Sequence, residues 1–212
     1  MGNTITYSCA DCGTVKCDLG NKNYPKFCLS KTVDDDRKNE MKAKYDEAEN
    51  HKVMLMGAEV ENDFYCKLTR LEETIVFAKK MQFKKIGIAT CVGLLNETRI
   101  LTKILREHGF EVFVSGCKVG EIPKVDVGID ERCSTVGVNM CNPILQADLL
   151  RENETEFNIV MGLCVGHDSL FYKYSHTLTT TLVTKDRVLG HNPVAALYTA
   201  DTYYAKKLKN IE

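Results

Sequence analysis

Cysteines are the residues of this sequence whose type and spacing point most directly to chemistry. The 212-residue chain contains ten of them in a composition that is otherwise ordinary for a globular protein. Cys91, Cys117 and Cys164 each closely follow an apolar run that predicts a buried strand. Cys141 begins a predicted helix in which Pro143 suits the first turn. Because the carboxyl ends of parallel strands meet at one edge of a sheet, we expect these four cysteines to converge there.

Two of these strand ends carry the same motif. The apolar runs before Cys91 and Cys164 both continue as Cys-Val-Gly and then become helix-like. Backbone N–H groups and helix N-termini at such an edge are expected to lower thiol pKa values and to donate to sulfur. The pattern predicts an iron–sulfur cluster, of the 4Fe–4S type, for electron transfer or small-molecule reduction. A thiol enzyme with Cys164 as nucleophile and a histidine as base stays open, as do purely structural cysteines.

Charged and titratable side chains accompany the cysteines along the sequence. We expect the three basic residues to offset the charge of a cluster, to bind an anionic substrate or to face solvent. The aspartate is expected to orient the preceding histidine or to cap its helix. The second histidine could ligate, protonate a substrate or hydrogen-bond a loop carbonyl. The set of catalytic or supporting candidates comprises Lys118, His167, Asp168, Lys185, Arg187 and His191.

The N-terminal segment, residues 1–33, is a second cysteine-rich region. It is poor in apolar residues, so it cannot build a core of its own and needs a staple. Four thiolates could bind zinc there, or an iron–sulfur cluster, since both accept four cysteines. The four candidate ligands are Cys9, Cys12, Cys17 and Cys28. No role is assigned to Cys66 or Cys133.

The rest of the chain, residues 34–212, predicts one α/β domain. A helical lead-in covers residues 34–82, and Thr69 and Glu72 form a predicted capping box within it. Strands and helices alternate through residues 83–212, and the last helix is expected from about Val194 to Leu208. This alternation predicts a three-layer sandwich around a mostly parallel, Rossmann-like sheet of four or five strands. The helix after Cys141 is expected to bury Ile144, Leu145, Ala147 and Leu149.

Several classes of function are disfavoured by composition and motif. A net charge of −1 gives no reason to expect nucleic acid or an anionic membrane as partner. The sequence shows no membrane-length apolar run and no signal peptide, which favours a cytoplasmic location. It also lacks the phosphate-binding loops of nucleotide-binding proteins. The expected partner is therefore a redox protein or a small-molecule substrate, and assembly into a homo-oligomer stays open. A zinc-stabilised binding or regulatory module without catalysis is the main alternative.

These motifs resemble an uncharacterised prokaryotic family, catalogued as domain of unknown function 1847 and labelled "predicted metal-binding protein". The motifs are Cys-Ala-Asp-Cys, Ile-Ala-Thr-Cys-Val-Gly-Leu, Cys-Lys-Val-Gly, Cys-Asn-Pro-Ile-Leu-Gln-Ala, Gly-Leu-Cys-Val-Gly-His-Asp-Ser-Leu-Phe and Lys-Asp-Arg-Val-Leu-Gly-His-Asn-Pro. The resemblance covers nearly the whole chain and implies metal binding, with no reaction attached. The matching positions are Cys9, Cys12, Cys17, Cys28, Cys91, Cys117, Cys141, Cys164, His167, Asp168, Lys185, Asp186, Arg187, His191 and Asn192.

Overall fold

A computed structural model describes residues 6–14, 17–20 and 23–211 of the chain. It divides the chain into two compact units, Met1–Glu59 and Val60–Glu212. No helix within the described residues is both long enough and apolar enough to cross a membrane.

The first unit consists of short helices and turns. A 3-10 helix, Cys9–Asp11, is followed by helices α1 (Leu29–Thr32) and α2 (Asp35–Lys44). Asp34 caps α2 by accepting the N–H of Arg37 at 2.8 Å, as its acidic start predicts. Helix α3 (Ala48–Phe64) begins in this unit and ends in the second.

The second unit is the α/β part of the chain. Its α-helices are α4 (Arg70–Met81), α5 (Leu95–Glu107), α6 (Pro143–Glu152), α7 (His167–Tyr174), α8 (Val194–Tyr198) and α9 (Ala205–Lys209). Its strands are β1 (Lys85–Thr90), β2 (Glu111–Gly116), β3 (Phe157–Met161) and β4 (Thr179–Val183). Three 3-10 helices complete it, at Val92–Leu94, Lys124–Val127 and Glu131–Val136. The capping box of Thr69 and Glu72 is present at the start of α4, as predicted.

The four strands form one parallel sheet in the order β2-β1-β3-β4. Alternate residues of β1 face opposite layers, as the period-two geometry of a strand requires. Ile86 and Ile88 pack with residues of α4 and α5, whereas Ala89 packs with residues of α6 and α7. The predicted three-layer, Rossmann-like sandwich is confirmed.

Helix α6 buries a different face from the one predicted. Of the expected apolar positions, Ile144, Leu145, Ala147 and Leu149, only Ala147 is fully buried. The buried face is the i, i+3, i+4, i+7 stripe that contains Pro143, Gln146, Ala147 and Leu150. A buried glutamine therefore occupies a core position that an apolar count misses.

Two element boundaries also differ from the prediction. The last helix is two short helices, α8 and α9. At the break, the hydroxyl of Thr199 donates to the carbonyl of Ala195 in α8, and the hydroxyl of Thr202 donates to the carbonyl of Thr199, so side chains compete there for helical carbonyls. The apolar run from Phe157 to Leu163 predicts the third strand, but β3 already ends at Met161, because Gly162 adopts a positive φ of 68°.

Candidate functional site

The carboxyl ends of the strands are aligned by the sheet register. Thr90 pairs with Gly116 on one side and with Met161 on the other, and Met161 pairs with Val183. The chain therefore leaves all four strands at one edge, where the segments containing the cysteines and the polar loop after β4 begin. A register shift in β4 between its partners Val160 and Met161 falls at this same edge.

Cys117, the residue directly after β2, lies at the centre of the cysteines. Its Sγ lies 3.8 Å from the Sγ of Cys141 and accepts the N–H of Val92 at 3.4 Å. Cys117 is buried, with 3% of its surface exposed. Hydrogen bonds to Cys141 and then to Cys91, followed by burial, raise its pKa and keep it a thiol.

Cys141 reaches Cys117 because the start of α6 is tied to the end of β2. The N–H of Asn142 donates to the carbonyl of Cys117 at 2.7 Å, and the Asn142 side chain caps α6 by accepting the N–H of Leu145. The hydrogen bond from Cys117, and then that from His167, lower the pKa of Cys141 to about 4. The pKa of His167 is raised, chiefly by its bond to Cys141. These two shifts together favour a thiolate on Cys141 and an imidazolium on His167.

Cys91 is the second thiolate of the group. Its pKa is lowered to about 5, first by the hydrogen bond from Cys117, and then by the backbone N–H of Gly93 and by Lys185, which together outweigh its burial. The N–H donors arise because the Cys-Val-Gly motif folds into a 3-10 helix, Val92–Leu94, directly after β1. The sequence predicts that backbone N–H groups at the strand ends donate to the cysteine sulfurs. Sequence alone did not identify Val92 and Gly93 as the donors.

Cys164 lies in the same region, and its partner is the guanidinium of Arg187. It is partly exposed, and its Sγ accepts a hydrogen bond from Arg187 at 3.0 Å. Cys164, and to a smaller extent Cys91 and Cys141, raise the pKa of the Arg187 guanidinium. We call the set of Cys91, Cys117, Cys141 and Cys164 the thiol cluster. The structure brings Cys91 and Cys141 to the sulfur of Cys117, and it places Cys164 near them through Arg187.

The polar loop that carries Lys185 and Arg187 is closed by its own hydrogen bonds. The Nδ1 atom of the His191 imidazole accepts the backbone N–H of Asp186 at 3.1 Å. The backbone N–H of His191 donates to the Asp186 carbonyl at 2.9 Å. Asp186 Oδ1 accepts the N–H groups of Val188 and Leu189. The imidazole of His191 therefore accepts an amide proton, where a bond to a loop carbonyl was expected, and it holds the loop beside the cysteines.

Two other predicted residues have clear partners. Asp168 accepts the N–H of Ser169 at 2.7 Å, and its charge contributes to the raised pKa of His167. The N-cap of α7 is Gly166, so the expected capping role for Asp168 is not observed. Lys118 donates to the carbonyl of Asn139 at 2.5 Å, and its charge helps to lower the pKa of Cys141.

The four N-terminal cysteines lie on short local features of the first unit. Cys9 begins the 3-10 helix and Cys12 follows it, while Cys17 begins a turn and Cys28 precedes α1. The rings of Tyr7 and Phe27 stack with centroids 5.4 Å apart. This stack brings the chain just before Cys9 beside the chain just before Cys28, so it closes the segment.

Cys66 and Cys133 have no contact with either set in the described part of the chain. Cys66 is exposed, with a positive φ of 57°. The backbone of Cys133 donates its N–H to the carbonyl of Asp130 at 2.9 Å, and its carbonyl accepts a hydrogen bond from the buried Lys124 at 2.5 Å.

The thiol cluster contains sulfur donors of the kind that a thiolate-bound metal or an iron–sulfur group binds. The pKa values of Cys91 and Cys141 are lowered, which favours the anionic form that binds metal. Backbone N–H groups and cations surround the sulfurs, as an anionic centre needs. Within residues 6–14, 17–20 and 23–211, no group of three or more His, Cys, Asp or Glu side chains is arranged to hold a metal ion.

The fold and site define a Rossmann-like α/β protein with thiols gathered at the carboxyl edge of its sheet. A model of the family "Protein of unknown function (DUF1847)" matches residues 28–182, so the chain belongs to this family. An uncharacterized protein of Methanocaldococcus jannaschii, MJ0455, is 47% identical over 200 residues, which cover 94% of this chain and 97% of the relative. The resemblance inferred from the cysteine motifs is therefore confirmed.

Proposed function

We propose that the thiol cluster holds an iron–sulfur centre used for electron transfer or for the reduction of a small molecule. The observation that supports the proposal most is the meeting of cysteines from separate segments at one sheet edge, beside a backbone N–H group and a guanidinium that donate to their sulfurs. Cys91 and Cys141 would bind as thiolates, the form that their lowered pKa values favour, and Cys117 and Cys164 would complete the set. An iron–sulfur group supplies the capacity to take up and release single electrons.

The surrounding residues have defined tasks in this proposal. Lys185 and Arg187 offset the negative charge of the centre and face the side from which an anionic partner or substrate would approach, since Arg187 is exposed. The N–H of Val92 stabilises charge on the sulfur of Cys117. His167 holds a proton beside Cys141, where it can be donated to a bound molecule.

The N-terminal cysteines would form a second site of the same protein. Cys9, Cys12, Cys17 and Cys28 can bind zinc or a second cluster, which would staple a segment that has little apolar surface to bury. The stacked rings of Tyr7 and Phe27 support this assignment because they bring the residue two before Cys9 into contact with the residue directly before Cys28.

One distance favours a second candidate function, a zinc-stabilised binding or regulatory module without turnover. Tetrahedral zinc–sulfur bonds of about 2.3 Å place two thiolates about 3.8 Å apart, and this is the separation of the Cys117 and Cys141 sulfurs. Cluster ligands bind different irons and point away from one another, so loading a cluster would require these sulfurs to separate.

The thiol-enzyme alternative has less support. A nucleophilic Cys164 needs a base within hydrogen-bond reach. The bond of His167 goes to Cys141, the bond of His191 goes to Asp186, and Cys164 receives a proton donor, Arg187.

The test is metal and sulfide quantitation on protein purified without oxygen. Iron and acid-labile sulfide in the wild-type chain, lost in Cys117→Ser and Cys141→Ser but kept in Cys66→Ser, would support the cluster. Zinc without sulfide, lost in the same two variants, would favour the binding module. Metal that is absent, or unaffected by both variants, would refute a metal centre at the sheet edge. Cys9→Ser separates the N-terminal site from this one.

A further inference from the structure

Gln146 is a buried polar residue that neither the sequence patterns nor the proposed chemistry accounts for. It lies on the core face of α6, five residues after Cys141, with none of its surface exposed. Its Nε2 donates to the carbonyl of Thr90 at 3.2 Å and to the carbonyl of Ser115 at 2.7 Å. The two carbonyls belong to different strands, so one amide joins β1, β2 and α6.

The position of these bonds relates them to the cysteines. Thr90 is the last residue of β1 and directly precedes Cys91, and Ser115 is two residues before Cys117. Gln146 thus links the three segments that carry the contacting sulfurs. Beyond Thr90 and Gly116 the β1–β2 pairing ends, so no ladder bond fixes the spacing of the segments further on.

The orientation of the amide is determined by its partners. Both are carbonyl oxygens, which only accept, so the NH₂ group must face them and the opposite orientation would set three acceptors together. The Oε1 atom is then buried without a partner among the described residues, as is the hydroxyl of Ser115. Burying an unsatisfied acceptor is unfavourable, so this amide is a poor choice for stability alone.

We propose that Gln146 is a positioning residue that sets the spacing of Cys91, Cys117 and Cys141 for the centre they hold. The inference rests on the proposed function for the identity of that centre. The claim that Gln146 fixes the spacing of the three segments rests only on its two hydrogen bonds. Gln146 touches none of the sulfurs and acts through the backbone on which they are carried.

The test compares Gln146→Met, which keeps the length of the side chain but donates nothing, with Asn158→Leu. Asn158 is a matched buried amide on β3, bonded to Ser175 and Thr155 near the amino end of the strand and away from the thiol cluster. The full-length, metal-free chain is equilibrated with reduced and oxidised glutathione, and the Cys117–Cys141 disulfide is quantified by peptide mass spectrometry. This equilibrium reports the proximity of the two sulfurs. The loaded protein is challenged with a chelator, and retained metal is measured.

Gln146→Met is expected to change the disulfide equilibrium about tenfold and to weaken metal retention about 10- to 100-fold. Asn158→Leu should leave both readouts within about twofold of wild type at a comparable loss of thermal stability. If Gln146→Met does not fold, Gln146→Asn replaces it, because the shorter amide cannot span both carbonyls.

Equal values for Gln146→Met and Asn158→Leu in both readouts would overturn the positioning role and leave the metal centre standing. A wild-type chain without metal at the sheet edge would instead refute the proposed function, and the disulfide equilibrium would still decide whether Gln146 fixes the spacing of the three segments.

Discussion

Replacing His167 by glutamine removes the cation that hydrogen-bonds Cys141, and in metal-free protein it should raise the pKa of that thiol. A hydrogen bond to a charged group contributes about 1.5 to 3 kcal/mol. Both side chains are partly exposed, so solvent screening reduces this to roughly 1.4 kcal/mol, or about one pKa unit. The bond from Cys117, the larger cause of the lowered pKa, is retained, so the thiol stays well below its ordinary value of 9.0.

The assay is the rate of alkylation of Cys141 by iodoacetamide as a function of pH, followed by peptide mass spectrometry. The midpoint should move upward in His167→Gln and stay in place in His191→Gln, whose imidazole bonds Asp186. An unchanged or lower midpoint in His167→Gln would show that the thiolate does not depend on the imidazolium.

The same pair predicts a pH window for stability. The folded pKa of Cys141 is lowered to about 4, so its contribution is complete above the unfolded value of 9.0 and is lost as pH falls through about 4. The folded pKa of His167 is raised above 6.5, so its contribution is complete below 6.5 and is lost as pH rises through the raised value. The free energy of unfolding of His167→Gln, measured by urea denaturation, should therefore differ from that of wild type between about pH 4 and the raised pKa of His167. The difference should shrink outside this window.

Three further outcomes follow from the structure. Arg187→Gln should lower the reduction potential of the proposed centre in an anaerobic redox titration, because removing a nearby positive charge disfavours the reduced form; an unchanged or higher potential would contradict its role. Gly87→Ala should destabilise the fold by about 2 kcal/mol in thermal or urea unfolding, because the new Cβ would clash with the side chain of Asn158 on the neighbouring strand. Gly116→Ala in the same sheet meets only ordinary contacts and should be tolerated. Phe27→Ala should weaken metal retention by the N-terminal segment in a chelator competition, because it breaks the ring stack, and Leu19→Ala, at an exposed position, should not.

The sheet and its cysteine edge could be predicted from the sequence because both follow from backbone rules. Apolar runs alternating with helices give a parallel sheet, and parallel strands bring Cys91, Cys117 and Cys164 to the same edge. The capping box at Thr69 and the proline that opens α6 were likewise readable, because each is a local interaction over three or four residues.

What escaped prediction depends on contacts between distant segments. The sequence of α6 predicts that Gln146 faces solvent. Its burial is explained only by the carbonyls at two strand ends that its amide bonds. The split between α8 and α9 depends on threonine hydroxyls that compete for helical carbonyls, which an apolar pattern does not reveal. The bond of His191 to a backbone amide likewise requires the closed loop to exist first.

The two sets of cysteines differ in how far apart their members lie along the chain. This difference decides whether each set comes together before or after the chain around it has folded. The sulfurs of the thiol cluster are carried by segments between residues 91 and 164 and meet only after β1, β2 and β3 have paired. Parallel pairing of this kind needs long crossovers and is slow to form. If the proposed centre is present at this edge, it would be loaded after the polypeptide has folded, so removing it should leave the sheet intact. The N-terminal cysteines span only residues 9 to 28, in a segment with little core of its own, so binding of the proposed metal there would be coupled to folding. Chelation should unravel that segment alone.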